Sequence, residues 1–95
     1  MIVRFSIDPD GAGRFEYRVS YEGEDIFADT GLASVEDCIV AATEGLGQDA
    51  VAAEIAYKAV VSGTYPLASL ALMTEQIAAH ALNTTQAIEE LMPAA

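Results

Sequence analysis

The fold is decided by the opening stretch of the chain, IVRFSIDPDGAGRFEYRVSY, residues 2–21. Apolar and polar side chains alternate over residues 3–7 and again over residues 15–21, which is the period of a strand with one buried face. Between the two runs, Pro9 presets a turn, and Gly11 and Gly13 accept positive φ. The stretch therefore predicts an antiparallel β-hairpin.

The period changes from two to 3.6 after a second turn at residues 22–25 and a short third strand predicted at residues 26–28. Ser34 and Asp37 have the spacing of a capping box, so a helix is expected to begin there. Gly45 and Gly47 are expected to end it. The apolar stripe of this first helix consists of Val35, Cys38, Ile39, Ala42 and Leu46.

The second half of the chain is rich in alanine and is predicted to be helical. A second helix is expected from Asp49 to Gly63, and a third from Pro66 to Leu82. Residues 83–86 resemble a break before a last helix at 87–92, although the third and fourth helices could also be one. The prediction is a single α+β domain over residues 1–95: an N-terminal antiparallel β-hairpin or three-stranded sheet followed by three or four α-helices.

Acidic residues dominate the charge of the chain. Fifteen acids stand against four bases, the net charge is -11, and residues 19–57 contain neither Lys nor Arg. Direct binding to nucleic acid is therefore not expected, because phosphate contacts need basic side chains. A basic protein surface is the expected partner, and solubility alone is the alternative reason for the charge. The candidate partner-binding residues are Glu22, Glu24, Asp25, Asp29, Glu36 and Asp37.

No set of residues in the sequence has the pattern of a catalytic or metal site. Cys38 and His80 are the only residues of their types, whereas zinc needs three or four ligands at characteristic spacing. Cys38 is expected in the core and His80 on a half-exposed helix surface. The chain is therefore predicted not to be an enzyme and to need no cofactor or metal. With no signal peptide and no membrane span expected, the predicted location is the cytoplasm.

Residues 74–91 resemble a helix-turn-helix, because apolar residues fall at that motif's buried positions. Leu82 stands where the turn glycine is usual, and the second helix would carry Glu89 and Glu90 without any base. A DNA reader needs basic contacts to position it. The segment is therefore interpreted as a helical hairpin, with a degenerate DNA-binding unit as the alternative.

Two resemblances bear on function. GRFEY at residues 13–17 and ASVED at residues 33–37 make residues 1–47 similar to the strand-strand-strand-helix start of HicB-type antitoxins. In size, charge and a hairpin beside helices, the whole chain resembles small acidic inhibitor proteins of phages and mobile elements, anti-CRISPR proteins among them. This second resemblance implies a protein that binds a nucleic-acid-handling complex, such as a CRISPR effector, and blocks its access to nucleic acid or to a partner.

Two other classes of function remain open. One is an antitoxin-like or regulatory binding module. The other is a homo-oligomeric structural protein, because residues 67–73 of the predicted third helix are apolar on nearly every side. The same surface predicts a weak homodimer.

Overall fold

In the computed structural model, which describes residues 1–92, the chain forms a five-stranded mixed sheet and three helices. The strands are β1 (Ile2–Pro9), β2 (Phe15–Tyr21), β3 (Glu24–Leu32), β4 (Ala52–Tyr57) and β5 (Val60–Pro66). The helices are α1 (Val35–Glu44), α2 (Leu67–Leu72) and α3 (Thr74–Leu91). The sheet order is β3-β2-β1-β4-β5; β1 and β4 are parallel, and the other neighbouring strands are antiparallel. The α+β class is confirmed, but the sheet has five strands where two or three were predicted, and α1 lies between β3 and β4 along the chain.

The predicted N-terminal hairpin is confirmed. β1 and β2 pair antiparallel, with Phe5 opposite Val19 and Ile7 opposite Tyr17. These side chains are buried beneath α1, whose Ile39 is also fully buried. The alternation of the sequence therefore identified the buried face of both strands, because each strand has one face in the core and one face uncovered.

The first helix follows the prediction, whereas the third strand follows it in position but not in extent. β3 has nine residues and not three, and it lies at the edge of the sheet, where only Phe27 and Leu32 are partly buried. A strand with so little burial carries no apolar alternation that could mark its ends. The cap of α1 is confirmed, because the backbone N–H of Asp37 donates to Ser34 Oγ at 3.0 Å. Gly45 ends the helix as expected.

The predicted second helix from Asp49 to Gly63 is wrong, because this segment contains β4 and most of β5. β4 lies between β1 and β5; Ile55 is buried toward the helices, whereas the other face carries Ala56 and Glu54, whose side chain is 35% exposed. Because alanines also stand on that uncovered face, the strand shows no clear apolar and polar alternation, and its alanine content is typical of a helix. The Lys58–Ala59 turn between the strands contains neither glycine nor asparagine, so it gives no turn signal.

The helical boundaries at the end of the chain also differ from the prediction. The break falls at Met73, which separates α2 from α3, and α3 continues through residues 83–86. Thr85 is 1% exposed, and its hydroxyl donates to the backbone oxygen of Tyr57 at 3.1 Å. Because this hydrogen bond to β4 satisfies the hydroxyl, the polar side chain of Thr85 can be buried within a continuous helix. The interpretation of residues 74–91 as a helical hairpin is wrong, and so is the helix-turn-helix alternative, because these residues form one helix without a turn.

The three helices lie on one face of the sheet. α1 packs on β1, β2 and β3, α3 packs on β4 and β5, and α2 lies against α1, α3 and β5. Among residues 1–92, no helix is long and apolar enough to cross a membrane.

Candidate functional site

The sheet face opposite the helices carries polar side chains and is uncovered over residues 1–92. Two adjoining cavities of about 380 Å³ and about 290 Å³ lie on this face and share Ser6 and Arg18 in their walls. Together they form a continuous depression along β1 and β2, which we call the trough. The charged residues that line the trough are Arg4, Asp8, Glu16, Arg18, Glu22, Asp25, Asp29 and Glu54.

Two arginines occupy the middle of the trough. Ser20 is the cross-strand partner of Arg4, and Ser6 is the partner of Arg18, so the two arginines are diagonal neighbours on adjacent strands. The closest approach of Arg4 to Glu54 is 3.6 Å, and the side chain of Arg4 is 44% exposed. Arg18 approaches Asp25 at 3.8 Å, and its side chain is 54% exposed. Both guanidinium groups therefore keep contact with solvent from the floor of the trough.

Carboxylates lie at both ends of the trough. Glu22 and Asp25 are at the end formed by the β2–β3 turn. At the other end Asp8 and Glu16 are direct cross-strand partners, and both are half-buried. Like charges placed opposite each other in an antiparallel pair are destabilising, so a cation bound at this end would relieve a local electrostatic cost.

The structure divides the six predicted partner-binding residues between two surfaces. Glu22, Asp25 and Asp29 line the trough, and Glu24 is the first residue of β3, beside it. The other two, Glu36 and Asp37, lie in the first turn of α1, in the helical layer. Asp25 and Asp29 are four residues apart on β3, which corresponds to about 13 Å of strand. The acids therefore follow the β3 side of the molecule and do not form one compact patch.

Five charged residues of the trough were not predicted from the sequence to belong to a site: Arg4, Asp8, Glu16, Arg18 and Glu54. The signal was partly present, because the alternation of the first two strands put Arg4 with Ser6 and Glu16 with Arg18 on the polar face. Glu54 could not be found because its segment was predicted to be a helix.

Shifted pKa values are found in the core between α1 and the sheet, at Cys38 of α1 and Tyr17 of β2. Burial raises the pKa of the Cys38 thiol to about 11, and the charges of Asp37 and Asp29 add to the shift. Burial also raises the pKa of Tyr17, with smaller contributions from Asp29 and Cys38. A buried thiol that keeps its proton at neutral pH is a poor nucleophile, which fits the predicted core role of Cys38.

His80 and the acids show no arrangement of the kind that holds a metal. His80 is exposed on α3, with Nε2 3.5 Å from Thr84 Oγ1. Within residues 1–92, no group of three or more His, Cys, Asp or Glu side chains is placed to bind a metal ion.

The chain matches no protein-family model, no curated protein and no solved structure. The trough and the charges of the chain are therefore the observations that bear on its function.

Proposed function

We propose that this chain is a non-enzymatic binding module that engages a basic surface of a partner protein. The trough supports the proposal, because it is a concave surface left uncovered on the sheet and lined by six acids and two bases. The remaining predicted acids, Glu24, Glu36 and Asp37, extend the negative potential around the β3 side. Such a field attracts a basic surface and raises the rate of association.

The class of partner that fits is a protein that handles nucleic acid. Its basic surface normally receives phosphates, and an acidic module docked there would exclude the nucleic acid. The resemblance to anti-CRISPR inhibitors has the same implication, with a CRISPR effector as one such target. The net charge of -11 keeps the module itself from binding nucleic acid.

Charge reversal at the β2–β3 turn tests this proposal. We expect the triple variant Glu22→Lys, Glu24→Lys, Asp25→Lys to lose several kcal/mol of binding to a basic partner captured from lysate at low salt. The loss should fall mainly on the association rate and should shrink as salt is added. The captured partner should also release bound nucleic acid when the unchanged chain is added. Surface plasmon resonance and a nucleic-acid displacement assay measure these effects.

A matched control separates the site from net charge. The variant Glu44→Lys, Glu75→Lys, Glu90→Lys changes the charge by the same amount at exposed positions of the helical layer. It should weaken binding much less than the turn variant, and both should keep the circular dichroism spectrum of the unchanged chain. Equal losses in the two variants would reject the trough side as the binding surface.

An antitoxin-like module is the second candidate, and the observed order of elements favours it. β1, β2, β3 and α1 follow one another as the HicB likeness implies. In this case the partner is a toxin encoded beside this chain, and co-expression of the two should give a stable complex. DNA binding through α3 is not expected, because residues 74–91 include no Lys or Arg.

A further inference from the structure

We propose that the trough recognises an extended segment of its partner in which basic residues flank one central carboxylate, and that Arg4 and Arg18 receive this carboxylate. The inference rests on the proposed function, because it takes the partner surface to be basic. The new element is the arrangement of charges that the trough selects in the partner segment. The order of charges from one end of the trough to the other is acidic, basic and acidic.

Arg4 and Arg18 have more hydrogen-bond donors than their contacts with Glu54 and Asp25 use. A guanidinium group has five N–H donors in a planar fork that matches a carboxylate. Arg4 and Arg18 each approach one carboxylate at 3.6 and 3.8 Å, beyond the usual length of a charged hydrogen bond. The hydroxyls of Ser6 and Ser20 lie beside them on the same face and are half-buried. The middle of the trough is therefore a donor-rich floor that an acidic side chain satisfies.

The spacing of the charges sets the spacing in the ligand. On β1, Asp8 follows Arg4 by four residues, and Glu22, in the turn just after β2, follows Arg18 by four residues in the opposite direction. From the middle of the arginine pair, the acids at each end lie about three residues of strand away, or about 10 Å. An extended ligand has the same rise per residue. Its basic side chains should therefore lie two or three positions on either side of the central acid.

The alternative is that the arginines only reduce repulsion within an acidic surface. In that case binding follows the net charge of the ligand, and every added positive charge strengthens it. The proposal predicts the reverse order at the central position, where a positive charge would meet two guanidinium groups. The two explanations therefore differ in whether a ligand with a central acid or a ligand with a central base binds more tightly.

Three synthetic peptides test the preference. The first is Ser-Lys-Lys-Ser-Glu-Ser-Lys-Lys-Ser with blocked ends, and the other two have Gln or Lys in place of the central Glu. We expect the unchanged chain to bind the Glu peptide about threefold more tightly than the Gln peptide and the Lys peptide most weakly, in fluorescence anisotropy at low ionic strength. In the variant Arg4→Gln, Arg18→Gln the order should follow net charge, with the Lys peptide bound most tightly.

The control variant is Arg14→Gln, Lys58→Gln, which removes the same two charges from outside the trough. It should keep the preference for the Glu peptide, and circular dichroism should show all three proteins folded. If the unchanged chain binds the peptides in order of net charge, the central carboxylate is wrong and the proposed function stands. If none of the three binds more tightly than a peptide of serine alone, the proposed function fails as well.

Discussion

At the scale of single residues, the β4–β5 turn holds the chain in an unfavourable conformation. Lys58 and Ala59 have φ of 51° and 66°, between the paired residues Tyr57 and Val60. Two successive positive φ values are the geometry of a type I′ turn, which favours asparagine and glycine. We expect Ala59→Gly to raise the free energy of unfolding by about 1 kcal/mol, because glycine adopts this conformation without the steric cost of a Cβ atom.

Urea denaturation measures this effect, and Ala79→Gly serves as the opposite control. Ala79 is exposed in the middle of α3, where glycine should cost about 1 kcal/mol. A loss of stability on Ala59→Gly would contradict the assigned turn.

The buried thiol of Cys38 predicts a pH dependence of stability. Its pKa is raised from 9.0 to about 11, so between these values the folded chain keeps a proton that the unfolded chain has lost. Stability should therefore fall as pH rises from about 9 to about 11. Tyr17, whose pKa is also raised, adds to the fall in the same direction.

The variant Cys38→Ala isolates the thiol. The stability advantage of the unchanged chain over this variant should be greater at about pH 8 than at about pH 10, measured by urea denaturation. An advantage that does not change over this range would mean that the thiol ionises equally in the folded and unfolded chains.

At the scale of elements, prediction from sequence succeeded where one face of an element is in the core and the other is in water. β1 and β2 meet this condition, and so does α1, whose cap at Ser34 was also found. Prediction failed for β4, whose uncovered face carries alanines beside Glu54, and it found only residues 26–28 of β3, which is exposed along most of its length. Neither strand has a clear alternation of apolar and polar residues. The polar face of β1 and β2 followed from their alternation, but the place of Glu54 in the trough did not, because it depends on β4 lying parallel to β1.

A single substitution tests whether α3 is one continuous helix. Asn83 is exposed near the middle of this helix, and the sequence pattern suggested a break there. We expect Asn83→Pro to cost about 3 kcal/mol or more, because proline removes a helical hydrogen bond and clashes with the preceding turn. Asn83→Ala should stabilise the protein by some tenths of a kcal/mol. If thermal unfolding shows that proline is tolerated, two separate helices would be the better description.

At the scale of the whole molecule, the two layers have different surfaces. The sheet face carries the charged trough, whereas the junction of α2 and α3 exposes Leu72 and Met73 to 84% and 49%. Exposed apolar side chains near a helix junction favour association with a second copy, but a net charge of -11 on each copy opposes it. We therefore expect self-association and partner binding to use different surfaces and to respond to salt in opposite directions.

The exposed apolar residues and the negative charge have opposite effects on self-association, so its strength should depend on salt. We expect the chain to form a weak homodimer whose affinity increases with salt, because salt screens the repulsion between the copies while the apolar contact is kept. Sedimentation equilibrium over a range of salt concentrations measures the effect. The variant Leu72→Gln, Met73→Gln keeps the net charge and should remain monomeric throughout. A strict monomer at high protein concentration and high salt would remove the homo-oligomeric role. A dimer that persists in the variant would assign the contact to another surface, and the trough would then be the next surface to test.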